Sequence, residues 1–482
     1  MIIQSVWQKS FDFFAGKSIF VSPVEMQLTS DAGLLPIRQF DERIGHTQQF
    51  IAALNDPRHP SYVDHTFAEM TRVRIYGILA DYADQNDHDA LRDDPVFKLL
   101  AGRSPDAPAL ASQPTLSRFE NQISICSLNN LRDVFINQFI TSFDKPPQHL
   151  TFDIDTFDDP THGQQQLTFF HGYYEQFQYQ PRVITCAEND AVVMVCLLHG
   201  TASAALGAED DLEYLATCLR KAWPDLQIHL RADSAYGVPK MFDVCERLRL
   251  DYSFGERMNS FLKAKSEALL AQAVEQFEQT GEPQRLFTAF EYQAGSWPQA
   301  RWTIIKCEAH DQGTNRRAVV TNRPGARVLP GAAYDGFADR GESENRNKEL
   351  KDGFQADRLS DHRYMANLFR LYLHAAAYNL LVRLRRAAGD PLPENPAAEI
   401  PDEALAGKKR RDFHNRRRER DPLGEGQPCT WRTRLIKVAA QIHVTARRVV
   451  IRLSRSWPYL AHYLHIAEVA LGTPVVRSLE SG

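Results

Sequence analysis

Apolar positions recur every three to four residues through the first third of the chain and then change to a spacing of two. Residues 31–50 carry Leu34, Leu35, Ile37, Phe40 and Ile44, a helical spacing that Asp-Pro-Arg-His-Pro at 56–60 interrupts. Residues 62–83 place Val63, Phe67, Met70, Val73, Ile75, Leu79 and Tyr82 along one stripe and predict a long amphipathic helix. A shorter helix with a cap-like start follows over 86–100, and another is predicted over 128–143 before the Lys-Pro-Pro-Gln turn at 145–148. Together they predict a mostly helical N-terminal domain over 1–145.

The period changes at His149. Leu150, Phe152 and Ile154 alternate along a strand that ends near Asp155, and two further strands are expected over 178–187 and 191–199. A helix over 208–223, a strand over 228–233 ending at Asp233, and a helix over 238–248 complete an α/β pattern with a mixed sheet. A helix over 267–279 and strands over 287–292, 301–308 and 317–321 suggest a β-rich insertion at about 255–335. Residues 337–351 then read as one helix. On it Arg340, Glu344, Lys348 and Lys351 share a face, a carboxylate among three cations. A solvated surface helix would carry the same charges. Residues 366–384 are strongly apolar and predict a core helix, with His374 a satisfied core histidine. The core is bounded at 146–385, leaving 386–482 as a linker and basic C-terminal region.

Composition changes this picture little. The chain is 43% hydrophobic and 24% charged, ordinary for a globular protein. Neither a signal peptide nor a membrane-spanning apolar run is read, so no membrane association is expected. Seven Cys without a C-x-x-C pair argue against a disulfide framework or thiolate zinc site and suit a reducing cytoplasm. The net charge is −5, but it is unevenly spread: the body is acidic and the region beyond residue 380 is basic. The run 408–420 is either a solvated segment or an arm that tracks phosphates.

Asp155 and Asp233 close predicted strands, where α/β sheets place their ligands. Two Asp and a helix-borne Glu make an oxygen-only donor set suited to Mg2+ or Mn2+, two of which clamp a phosphodiester. Neither H-E-x-x-H nor G-x-S-x-G is present. Asp153, Asp158 and Asp159 crowd the first acid, and a period of two puts Asp153 and Asp155 on the same strand face. Glu342 and Glu349 compete with Glu344. In the helical region, Ser112-Gln-Pro-Thr-Leu-Ser-Arg118 reads as a helix N-terminus able to meet phosphates and base edges, or as a simple capped helix.

These residues carry a resemblance. Phe337, Arg340, Glu344 and Lys351 stand at the spacings of the Tyr, Arg, Glu and Lys of the IS4-type signature, departing only at the aromatic. Asp155-Thr156, Arg231-Ala-Asp233-Ser-Ala-Tyr-Gly237 and Ser112 to Arg118 are similar to further motifs in the same order. The chain resembles transposases of the IS1380 family, DDE enzymes of the IS4-like superfamily, over about residues 25–460. The resemblance implies an RNase H-like catalytic core in which Asp155, Asp233 and Glu344 hold two Mg2+ or Mn2+ ions. It implies DNA contacts from Arg340 and Lys351, to which Lys348, Phe337 and Arg118 are added as candidates. Trp297, and after it Trp302, would stack on a flipped base. The expected activity is cleavage of transposon ends by water, followed by strand transfer. Expected partners are double-stranded DNA, as terminal inverted repeats and target, and a second copy of the chain in a synaptic homodimer. The expected location is the cytoplasm, at the nucleoid when DNA-bound. The rival readings are a metal-dependent nuclease on the same fold and a DNA-binding protein without catalysis.

Overall fold

The change of period at His149 is where the main sheet begins. In the computed structural model, which describes residues 9–389, 423–424 and 426–472, β1 (His149–Thr156) is followed by β2 (Gln176–Cys186) and β3 (Val192–His199). Next come β4 (Gln227–Ala232), β5 (Asp251–Glu256), β6 (Gln284–Tyr292), β7 (Arg301–His310) and β8 (Gly313–Thr321). These strands lie in one sheet in the order β6–β7–β8–β5–β4–β1–β2, with β3 also paired to β2. β1, β2 and β3 are antiparallel neighbours, whereas β4 runs parallel to both β1 and β5. The helices Ala208–Ala222 and Pro239–Arg247 are the crossovers that parallel pairing requires. The three strands expected of an insertion pair directly onto this sheet, because β8 runs antiparallel to β5. β5 is absent from the sequence reading. Its centre, Tyr252-Ser-Phe254, is buried on both faces, which removes the alternation that reveals a half-buried strand.

The N-terminal helices are Leu34–Ile44, Phe67–Leu79, Gln113–Asn121 and Ile125–Ile140, with shorter ones between. The stretch read as one amphipathic helix over 62–83 is helical only over Phe67–Leu79, and nearly every residue of it is buried. The cause is the central helix Tyr364–Ala388, which packs against it and also against β3, Gln113–Asn121 and Ile125–Ile140. Phe50, Phe119 and Phe135 from the N-terminal region, Tyr179 from β2, Phe369 and Tyr372 from the central helix and Trp431 from the C-terminal part belong to one apolar cluster. His374 is buried in the central helix with its Nδ1 2.7 Å from the Phe354 carbonyl, a satisfied core histidine as read. Ala440–Val444 pairs with Val449–Leu453 and with Gln27–Thr29, so C-terminal strands complete a small sheet with the N-terminal part. The linker from 390 on and the basic run 408–420 lie outside the described residues.

One buried ion set joins the helical region to the central helix. Glu120 accepts from Arg74 at 2.7 Å and from Arg370 at 2.5 Å, all three being almost wholly buried. Removing one partner of such a set leaves charge buried without compensation, which costs about 3–5 kcal/mol. Glu120→Ala is therefore expected to lower unfolding free energy by roughly that amount. A loss below about 1 kcal/mol in denaturant titration would show that the two guanidiniums find other acceptors.

Candidate active site

Because β1 and β4 are parallel neighbours in register, with Ile154 opposite Ala232, their C-terminal ends open side by side. Asp155 leaves the end of β1 and Asp233 follows the last residue of β4. Asp155 accepts the Thr156 N–H at 2.9 Å and the Asn347 side-chain amide at 3.1 Å. Asp233 turns its carboxylate back onto the Ala235 N–H at 2.9 Å. That turn passes close over β5, where a Cβ on Gly255 would come within 3.1 Å of the Ser234 nitrogen. A glycine there lets the Asp233 loop sit down on the sheet.

The structure separates the two acids that alternation leaves equivalent. Asp153 is buried and held by Arg231 through two bonds of 2.7 and 2.8 Å, and by Arg346 at 2.9 Å. Its oxygens are committed to two guanidiniums. Asp155, two residues on, stands at the strand's open end. Asp159 is buried and accepts the Leu359 N–H at 3.4 Å, and Asp158 takes the Lys351 ammonium at 2.6 Å.

The stretch 337–351 is not one continuous helix. Phe337 ends the helix Pro330–Ala338, Glu344 rides on Gly341–Lys348, and Glu349–Gly353 is a wider π turn. Ser343, Arg346 and Leu350 face inward, while Glu344 is 67% exposed at its side chain and Lys348 is exposed. The π turn moves Lys351 off the ideal helical stripe and onto Asp158, with Asp357 at 4.0 Å. Arg340 joins the acids: its guanidinium lies 3.5 Å from Asp155 and 3.2 Å from Glu344.

Burial pushes the Asp155 carboxyl up to about 6, helped by the charges of Asp233 and Glu344 and opposed by Arg340 and the Thr156 N–H. The three acids are thus within one another's electrostatic reach. Among the described residues, however, no group of three His, Cys, Asp or Glu side chains converges closely enough to hold a metal ion. The donors suit a hard divalent cation in kind and in charge, while the outermost, Glu344, faces Arg340 and solvent.

The other candidates are scattered. Arg118 is exposed on the helix Gln113–Asn121 and bonds its own Thr115 at 3.1 Å. Phe337 packs beside Tyr334, with Arg340 6.0 Å from its ring centre. Trp297 is only 5% exposed and is boxed by Phe242 and Tyr292, with ring centres 5.1 and 5.4 Å away. The structure assigns it to the core, where it has no face free for a base. Trp302 is partly buried and donates to the Ala326 carbonyl at 3.2 Å. Four residues of the site were given no role in the sequence reading: Arg231, Arg346, Asn347 and the buried Tyr236, whose phenol burial and the Asp155 and Asp233 charges push up against the influence of Arg182. Only Tyr236 and Arg231 had a visible signal, standing beside Asp233 in a quoted motif.

No helix among the described residues is long and apolar enough to cross a membrane. Against the curated proteins the chain finds no match. Among solved structures it is similar to the cryo-EM structure of the piggyBac transposase synaptic complex with hairpin DNA, at 12% identity and a TM-score of 0.41, over 75% of this chain and 77% of that one. The family model for the transposase DDE domain, group 1, matches residues 12–398. The chain belongs to that family of DDE transposases, which is associated with the IS1380 and IS4-like elements.

Proposed function

We propose that this chain is the transposase of an insertion sequence, binding the ends of its element, cutting them and joining them to target DNA. Family membership supports a transposition-related role and a DDE-type enzyme that works with divalent cations. The observation that carries the finer reading is the delivery of Asp155 and Asp233 by adjacent parallel strands, with Glu344 tied to Asp155 through Arg340. Three antiparallel strands followed by two parallel crossover units support reading the core as RNase H-like.

In this reading Asp155, Asp233 and Glu344 would hold two Mg2+ or Mn2+ ions. Bound there, the ions would activate the attacking oxygen and stabilise the leaving one. Arg340, released from the carboxylates, and Lys351, released from Asp158, have guanidinium and ammonium groups free for DNA phosphates. Exposed Lys348 adds charge beside them. Asn347 and the Thr156 N–H orient the Asp155 carboxylate, and Asp153 with its two arginines keeps β1, β4 and the Glu344 helix in place. The double-stranded DNA partner is the terminal repeats and the target, and a second copy of the chain would bring two ends together.

The direct test incubates the protein with the DNA flanking its gene and Mg2+, mapping cut and joined products. Asp233→Asn is expected to abolish both, and cutting that survives it would sink the metal assignment. Cutting without joining on paired ends would favour a nuclease.

The electrostatics make a second, independent expectation. A carboxyl raised from 3.8 to about 6 binds its proton more tightly in the folded chain. Folding stability attributable to it therefore falls as pH rises from about 4 to 6, and the deficit is complete above that window. Asp155→Asn removes it, so the variant should be more stable than the parent at neutral pH by about 1–3 kcal/mol. The difference should vanish near pH 4. Denaturant unfolding at several pH values reads this directly, and a pH-independent difference would show that Asp155 is not raised.

A further inference from the structure

Between β1 and β2 the chain makes a short hairpin whose side chains the acids do not explain. Leu167, Phe169, Phe170, Tyr173, Tyr174 and Phe177 are all exposed, Tyr173 by 84%. Exposed apolar side chains usually occur singly, and a cluster like this marks a surface that something covers. The strand Phe169–His171 pairs antiparallel with the start of β2, setting Phe170 opposite Phe177 with ring centres 5.6 Å apart. At the tip Tyr173 and Tyr174 meet edge-on at 5.0 Å, and Tyr174 lies 5.0 Å from His171.

The hairpin is held in place. The Glu175 N–H closes its tip on the His171 carbonyl at 2.8 Å. Its base lies so close on Gly200 that a Cβ there would come within 2.3 Å of the Gln178 oxygen and 2.5 Å of the Phe169 oxygen. Its position is equally defined. Gln176 reaches Asp158 at 3.5 Å, and Asp158 holds Lys351. Tyr174 stands close enough to Asp158 and Asp155 for their charges to act on its phenol. The tip therefore flanks the opening into which Asp155 points.

We propose that Tyr173 and Tyr174, with His171 beside them at the hairpin tip, form a stacking platform for unpaired nucleotides beside the scissile phosphate. The proposal rests on the reading of the acids as a DNA-cutting site. Aromatic side chains standing at an acidic, phosphate-handling centre offer flat apolar faces to bases of any sequence, and the phenol oxygens stay wetted. Lys351, one residue from the hairpin through Asp158, is placed to meet the adjoining phosphate.

The test compares two probes without divalent metal, so that no cutting intervenes: a fully paired duplex, and the same duplex with a short single-stranded extension containing 2-aminopurine. The parent protein is expected to prefer the extended probe and to quench its fluorescence. The double variant Tyr173→Ser, Tyr174→Ser should lose about five- to 150-fold of that preference, with paired-duplex binding unchanged. Tyr173→Phe, Tyr174→Phe should keep it. Both positions are exposed, so folding is expected to survive and circular dichroism checks it. No preference in the parent, or full preference and quenching in the serine variant, would overturn the platform. So would an altered oligomeric state of the serine variant with DNA preference intact, which would assign the rings to a contact between copies. A parent that prefers the extended probe yet never cuts with Mg2+ would leave the platform standing and defeat the proposed function.

Discussion

Asp153 is the residue on which the site's geometry depends. Its side chain is fully buried at the middle of β1, and it takes three hydrogen bonds from two arginines on two other elements. Arg231 belongs to the neighbouring strand β4 and Arg346 to the helix that carries Glu344. Burial alone would lower the Arg346 pKa, but Asp190 and Asp153 outweigh it and raise it. A buried charge is stable only when its partners are placed well, so this set fixes the distance between strands and helix rather than simply adding attraction. Asp155 lies two residues beyond Asp153, Asp233 two beyond Arg231, and Glu344 two before Arg346. Each of the three acids thus lies two residues from a member of the buried network.

The second constraint is the central helix Tyr364–Ala388. It follows the Glu344 region directly and is buried along nearly its whole length, against the N-terminal helices on one side and β3 on the other. Asn379 bonds both the N–H and the carbonyl of Val192, which locks the helix to the sheet edge. Arg385 reaches back to Glu349 in the π turn through two bonds. The turn that displaces Lys351 is therefore tied to the long buried central helix.

How much of this was legible in the sequence varied with the physics of each element. Helices and strands with one wet face announced themselves through period, which located β1, β4 and both crossover helices to within a few residues. β5 did not, because burial on both faces removes the alternation that a reader uses, and burial all round Phe67–Leu79 contradicts the wet face that its period suggested. Asp153 and Asp155 could not be distinguished by period; the following Thr156 and the strand's end favoured Asp155, and the pairing of Asp153 with Arg231 and Arg346 gives the two acids different surroundings. The stacking role of Trp297 came from the resemblance, as an aromatic in the β-rich insertion, yet Phe242, more than fifty positions upstream, closes over it. The aromatic density at 167–177 was present in the sequence, but the identity of its neighbours, Asp158 and Lys351, required the fold.

Arg340 brings these levels together. In the structure its single guanidinium balances both Asp155, which is costly to ionise where it lies, and Glu344, which is largely in water. Those unequal environments mean that Arg340 contributes more to keeping Asp155 charged than to holding Glu344 in position, since an exposed ion pair four residues apart on a helix is worth only about 0.3–0.5 kcal/mol. Glu344 is therefore the exposed member of the three acids, whereas Asp155 and Asp233 are each anchored by a backbone N–H.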